Sequence, residues 1–344
     1  MQTRMLNPGP LHHRDGWLTE AGYACTLLKT YDRSRVKAPG WRIKEWDYYA
    51  VCNDQHGIAF TIADLGYLGM ASVSLMDFKE KTHHTRSFLT PFPLGRLGLP
   101  ASSETGNSRI AGRQYELNFV VGRNKREIYG HVYDFQEKGR QLLFDLELKS
   151  PLQDSMVIAT PFRRRPRQFY YNQKINCLPV QGRVIHGDGD LYFSPASAFA
   201  VLDWGRGVWP YSNTWYWGSA SGIVQGRAFG LNIGHGFGNT EKATENMLFY
   251  GGKASKLGDV YFDMPMINGR EDPLAPWQVR DGDGRLSLVF EPILNRAARM
   301  NALFLASRQQ QVFGRFSGTA VLDGGMTLDI KGLTGFLEKV SNRW

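Results

Sequence analysis

The sequence predicts an all-β protein built as two antiparallel β-barrels in tandem. Three observations carry the prediction. Apolar and polar residues alternate at period two along most of the chain, glycine- and proline-bearing turn signals recur at short intervals, and aromatic residues are abundant. Aromatics make up 13% of the 344 residues and glycines number 38. Aromatic side chains suit a pleated surface, and glycines permit the tight turns that join strands. The hydrophobic share of 42% and charged share of 21% are those of an ordinary globular protein.

In chain order, the first strong signal is "KEWDYYAV" (44–51). "GIAFTIADLGYLGMASVSLMDF" (57–78) then reads as two strands with a glycine break. Gln114–Gly122, Arg126–Phe135 and Arg140–Ser150 follow, separated by the turn signals "GRNK" and "QEKG". Such spacing implies a meander, barrel or sandwich. The second half behaves alike from "DLYFSPASAFAVLDWG" to "MTLDIKGLTGFLEKV", with hairpins expected at "HGDGD" (186–190), "RDGDGR" (280–285) and "LDGGM" (322–326). Helical signal is confined to one turn at Asn239 and to Glu291–Phe304. About 16–20 strands exceed one small barrel and fit two. Periodicity pauses over 163–182, which places the expected division at residues 1–170 and 171–344. A Trp46-Asp47 pair opens the first half and an Asp203-Trp204 pair lies early in the second, as a faint internal echo.

Several function classes find no support. The net charge is +9, but the basic residues are scattered except in "FRRRPRQF" (162–169). That run, with Arg163, Arg164, Arg165 and Arg167, reads as a solvated loop, a head-group site or a contact for an anionic membrane surface. No zinc-finger or RNA-recognition spacing accompanies it, so nucleic acid is not an expected partner. Cys25, Cys52 and Cys177 are three and far apart, which argues against a disulfide framework and a structural zinc site. The adjacent histidines of "LHH" and "KTHHTR" point to opposite faces of a strand and make poor chelators. Neither a Walker loop nor a GxSxG elbow occurs, and no cofactor is expected. An N-terminus without an apolar core region and the lack of any 18-residue apolar run make a cytoplasmic protein the default expectation.

The segment richest in chemistry is "LDWGRGVWPYSNTWYWGSASG" (202–222), which holds Trp204, Trp209, Trp215 and Trp217 of the chain's nine tryptophans. In a strand, Trp215 and Trp217 share a face, whereas Asp203 and Trp204 point to opposite faces. The rings either fill a barrel or line a pocket inside one. Nearby Asp203, Arg206, Asn213 and Ser219 favour a pocket, since buried polar groups left unpaired cost about 1–3 kcal/mol each. Asp203 and Arg206 form either a structural ion pair or, respectively, a general acid and an anion-binding group. The side chain that enters the barrel discriminates: Asp203 would favour catalysis, Trp204 an apolar lining. "NIGHGFGNTEKATEN" (232–246) interleaves Gly234, Gly236 and Gly238 with His235, Phe237 and Asn239. It reads as a bend with close backbone approach, or as a pocket wall offering His235 as acid or base. The candidate residues are thus Asp203 and His235 for catalysis, and Trp204, Arg206, Trp209, Tyr211, Trp215, Trp217 and Asn239 for binding.

"KEWDYY", "YNQKINCLPVQG", "LDWGRGVWPYSNTWYW", "GHGFGNTEKATENMLFYGGK" and the closing "GFLEKVSNRW" resemble the bacterial family DUF2804, a domain of unknown function, over nearly the whole chain. The Trp204-Gly205 and Trp215–Trp217 pattern is also similar to that of a wider group with two lipocalin-like barrels. That group includes carotenoid 1,2-hydratases, tocopherol cyclases and ceramide-handling survival factors. The resemblance implies tandem lipocalin-like barrels and a lipid- or isoprenoid-like ligand. It also implies, for some members, cofactor-free proton addition to an olefin beside aromatic faces that stabilise a cation. Only the tryptophan pattern and Asp203 carry over.

Two classes of function follow. One is a protein that binds or transfers a hydrophobic or amphipathic small molecule. The other is a cofactor-independent hydratase, isomerase or cyclase. Carbohydrate binding, which needs rings on an open sheet, is a third.

Overall fold

In the computed structural model, residues 2–187, 189–302 and 305–343 are described. Among them there is no α-helix, only two 3-10 turns at Arg33–Arg35 and Gly40–Arg42. The chain forms two large antiparallel sheets, each curled into a half-barrel. The tandem all-β architecture read from alternation is the architecture observed.

The first sheet has thirteen strands. Its working part is the run Thr82–Pro91, Leu68–Asp77, His56–Asp64, Ile43–Cys52, Phe199–Val208 and Arg165–His186, in that spatial order. The second has nine strands, with Arg227–His235, Ser212–Val224, Thr327–Arg343, Leu305–Val321 and Leu286–Ala302 adjacent in that order. Short turns fix the registers. Gln225 and Gly226, both at positive φ (48° and 77°), close the hairpin between Ser212–Val224 and Arg227–His235, as a two-residue loop matched to strand twist requires.

Alternation explains what each sheet buries. On Ile43–Cys52, Tyr49 and Val51 join the core of the first half-barrel with Phe60, Val73 and Trp204. On the second sheet Val312, Leu337 and Trp277 do the same. The opposite faces meet back to back through Tyr48, Ala50, Trp217, Phe313 and Phe336, and through Tyr170, Trp209 and Phe237.

Several expectations are corrected. The pause at 163–182 is not a seam: it lies in Arg165–His186, the longest strand, which belongs wholly to the first sheet. Periodicity breaks there because the register shifts between Ile175 and Leu178, where Cys177 takes a positive φ of 58°, a bulge that resets the alternation. The chain changes sheets between Val208 and Ser212, so the sheets do not coincide with a 1–170 and 171–344 division. The helix expected over Glu291–Phe304 is strand Leu286–Ala302, paired along its length with Leu305–Val321. Cross-strand pairing overrides its helical propensity; Leu303 and Phe304 lie outside the described residues. At Asn239 a single hydrogen-bonded turn forms, Lys242 N to Asn239 O, without a helix. The 186–190, 280–285 and 322–326 segments do connect paired strands, with Asp188 outside the described residues. The two Trp/Asp dyads are not one per barrel but neighbours in one sheet, Trp204 paired with Asp47 and Gly205 with Trp46.

Candidate functional site

Where the sheets meet back to back they enclose a cavity of about 450 Å³. The second sheet supplies its floor as cross-strand rungs. Trp215, Val340, Gln309 and Ala298 are register partners in one rung, and Trp217, Glu338, Gln311 and Arg296 in the next. The rung beyond, Ser219, Phe336, Phe313 and Leu294, is core and closes that end. The first sheet supplies the facing wall, with Trp46, Tyr48, Thr61 and Ser72 among its residues.

Strand Phe199–Val208 decides what enters. Asp203, Gly205 and Gly207 face the cavity side, while Trp204 and Arg206 face the interior of the first half-barrel. The glycines make room. A Cβ on Gly205 would run into the Trp46 indole, and one on Gly207 would lie 2.6 Å from Trp209 Nε1. Gly234 does likewise for the Glu245 carboxyl. Gly205, Gly207 and Gly234 thus let large side chains lie across the backbone. Gly205→Ala is expected to cost about 1–3 kcal/mol, as overpacking does, and to displace Trp46, read as a changed near-ultraviolet dichroism with strand content retained.

The rings interlock edge to face. Trp209 lies 5.1 Å from Trp46 and 5.0 Å from Phe237, and Tyr48 lies 5.9 Å from Trp217. Amid them sits a buried charge cluster. The Lys174 ammonium is 3.6 Å from the Trp217 ring centroid, 3.5 Å from Asp203 and 3.3 Å from Glu245. Asn172 donates to Asp203 Oδ1 at 2.6 Å, and Trp217 donates through Nε1 to Asn232 at 2.8 Å. In the polar rung, Gln309 and Gln311 donate to Glu338 Oε2 at 2.7 and 3.1 Å. Arg296 donates to Gln311 Oε1 and to Ser74 Oγ, tying the sheets together.

Burial pushes the Glu338 carboxyl above the usual carboxylate range, against the opposing pull of its Gln309 hydrogen bond and the Arg296 charge. As pH rises past the unfolded value, the unfolded chain releases this proton while the folded chain retains it, so folded stability falls until the raised value is passed. Glu338→Gln keeps an acceptor for both glutamines and removes the titration. It should raise the melting temperature at neutral pH and leave it unchanged at acid pH; a pH series of thermal melts checks this.

The expected site residues are distributed as follows. Asp203, Trp209, Trp215 and Trp217 line the cavity, and Trp215 and Trp217 share a face. Trp204 points into the first half-barrel, whose interior is filled: the void beside Trp204 is about 10 Å³, no more than one water. The pocket is therefore between the barrels rather than within one. Asp203 and Arg206 do not pair, because strand alternation places them on opposite faces. Arg206 binds Asp47 with both terminal nitrogens at 3.1 Å and stacks 4.4 Å from the Trp204 ring. His235 is exposed and outside the lining, near Tyr261. Tyr211 is half exposed in the sheet-to-sheet turn. Asn239 caps its own turn, accepting from Glu241 N at 3.2 Å. Arg163 and Arg164 form an exposed hairpin tip, with Arg163 3.1 Å from Glu241.

The sequence reading missed Trp46, Lys174, Glu245, Arg296 and Glu338. Glu338 left a trace: in Phe336, Glu338, Val340 it is a carboxylate at an otherwise apolar alternate position. Lys174 left none, because its strand carries polar residues on both faces.

Residues 2–344 match the family described as DUF2804, a domain of unknown function. The chain belongs to the DUF2804 family. No curated protein matches the sequence of this DUF2804 chain. Among solved structures, it is similar to a candidate AttH (NE1406) from Nitrosomonas europaea, at 16% identity and a TM-score of 0.56, over 92% of this chain and 98% of that one. Kievitone hydratase from Nectria haematococca is similar at 9% identity and a TM-score of 0.50, over 87% of this chain and 88% of that one. These likenesses show that the DUF2804 chain shares their fold. Among its described residues, no helix is long and apolar enough to cross a membrane.

Proposed function

We propose that this protein binds a hydrophobic or amphipathic small molecule between its two sheets. The observation that carries the reading is the cavity of about 450 Å³ lined by Trp46, Trp209, Trp215 and Trp217. Its size falls within the range of small-molecule pockets, about 300–1,000 Å³. The apolar body of the ligand lies against the indoles. Its polar part meets the buried ionisable groups, which fix its orientation. The rings face the space between the sheets, which supports this reading over stacking on an open sheet.

The test is titration with N-phenyl-1-naphthylamine, a neutral dye that brightens in apolar surroundings. Wild type should bind it saturably. Thr61→Trp, which fills the middle of the first-sheet wall, should weaken binding by about tenfold or more, since it removes the space for the ring system. Equal binding by both proteins would refute the reading.

A second reading is favoured by the Glu338 carboxyl beside Trp217, and by the fold shared with kievitone hydratase. In that reading the protein adds water to a carbon–carbon double bond of its ligand. Glu338 donates its proton to one carbon, aromatic faces stabilise the cation left on the other, and water adds there and returns a proton to the carboxylate. Glu338 suits proton donation better than Asp203, which is committed to Lys174 and Asn172. Glu338→Gln should then abolish conversion of an alkene ligand while leaving its binding in place.

A further inference from the structure

Resting on the proposal that the cavity holds a small molecule, the distribution of charge narrows the class of that molecule. Lys174 has two carboxylates, Asp203 and Glu245, within 3.5 Å. Arg296 also lines the cavity, yet among the described residues no carboxylate lies within 4.0 Å of its guanidinium. Arg296 is held by Gln311 and Ser74, both neutral acceptors that fix the guanidinium without offsetting its charge. Glu338, in the same rung, is satisfied by Gln309 and Gln311 instead. Burial holds the His83 imidazole below its ordinary value, and the nearby Arg296 charge adds to that shift. A cation held in a partly enclosed site with no carboxylate in direct contact is stabilised by an anion that arrives with the ligand.

We infer that the ligand carries an anionic head group, of the carboxylate or sulfonate kind, received by Arg296, while its apolar body lies toward the tryptophans.

Two dyes that share one skeleton test this. 8-Anilino-1-naphthalenesulfonate bears a sulfonate that N-phenyl-1-naphthylamine lacks. Wild type should bind the sulfonate at least about tenfold more tightly, the worth of a charge-assisted contact. Arg296→Gln should erase that preference, with the sulfonate losing at least about tenfold and more than the neutral dye loses. Arg296→Lys, which keeps the charge and loses the planar fork, should retain part of it; it also serves if the glutamine variant fails to fold. Equal affinity of wild type for the two dyes, or a sulfonate affinity indifferent to both substitutions, overturns the inference. In either case neutral-dye binding that Thr61→Trp abolishes leaves the cavity reading intact. Failure of both dyes to bind wild type overturns the cavity reading and this inference with it.

Discussion

Asp47→Ala should lower the stability of the protein by about 3–5 kcal/mol, the cost of leaving a buried cation without its partner. Arg206 is fully buried, and its terminal nitrogens are distributed over Asp47 and the carbonyls of Trp46, Gly205 and Pro100, at 2.7–3.1 Å. Asp47 supplies the only carboxylate among these partners and also accepts from Ser108. The three carbonyls orient the guanidinium but do not neutralise it. The double replacement Asp47→Leu with Arg206→Met removes both charges. It should recover much of the loss, because apolar substitutes for a buried pair are often neutral or stabilising. Chemical denaturation of the two variants beside wild type measures the difference.

Lys174→Met should have an effect of similar size, about 3–5 kcal/mol. It strands two buried carboxylates, Asp203 and Glu245, and removes the cation held over Trp217. The loss should be specific to charge rather than packing, since methionine follows the lysine stem. Asp203→Asn and Glu245→Gln added to Lys174→Met should therefore restore stability well beyond what the sum of single effects predicts, because the three groups form one network. A triple variant no more stable than Lys174→Met would show that the cluster is held by packing instead.

The architecture was legible because alternation at period two is dictated by the pleat and survives in the sequence wherever one face is buried. It failed where pairing, not local preference, decides. Glu291–Phe304 carries residues tolerant of helix, and only its partner strand Leu305–Val321 makes Leu286–Ala302 extended. The run over 163–182 lost its period because of the bulge at Cys177, not because a domain ended.

The candidate site was legible in part for the same reason. Alternation alone states that Asp203 and Trp204 diverge, and they do. It does not state what lies beyond each face. Trp204 meets a filled interior, whereas Asp203 meets the space between two sheets, a surface defined by contacts distant in sequence. Tyr48 and Gln311, which bond at 3.2 Å, are separated by 263 residues. Trp46 was visible as half of a dyad, but its role depends on the missing side chain of Gly205 on the neighbouring strand. Glycine spacing in "LDWGRGVW" was therefore as informative as the tryptophans it separates.

The central claim is that the space between the sheets holds an amphipathic molecule. Native mass spectrometry of the protein purified gently from its own cells tests it most directly, run beside Thr61→Trp prepared the same way. The wild-type protein should carry a discrete mass of a small amphipathic compound, absent from Thr61→Trp. A wild type with no adduct, or an adduct retained equally by Thr61→Trp, would contradict it.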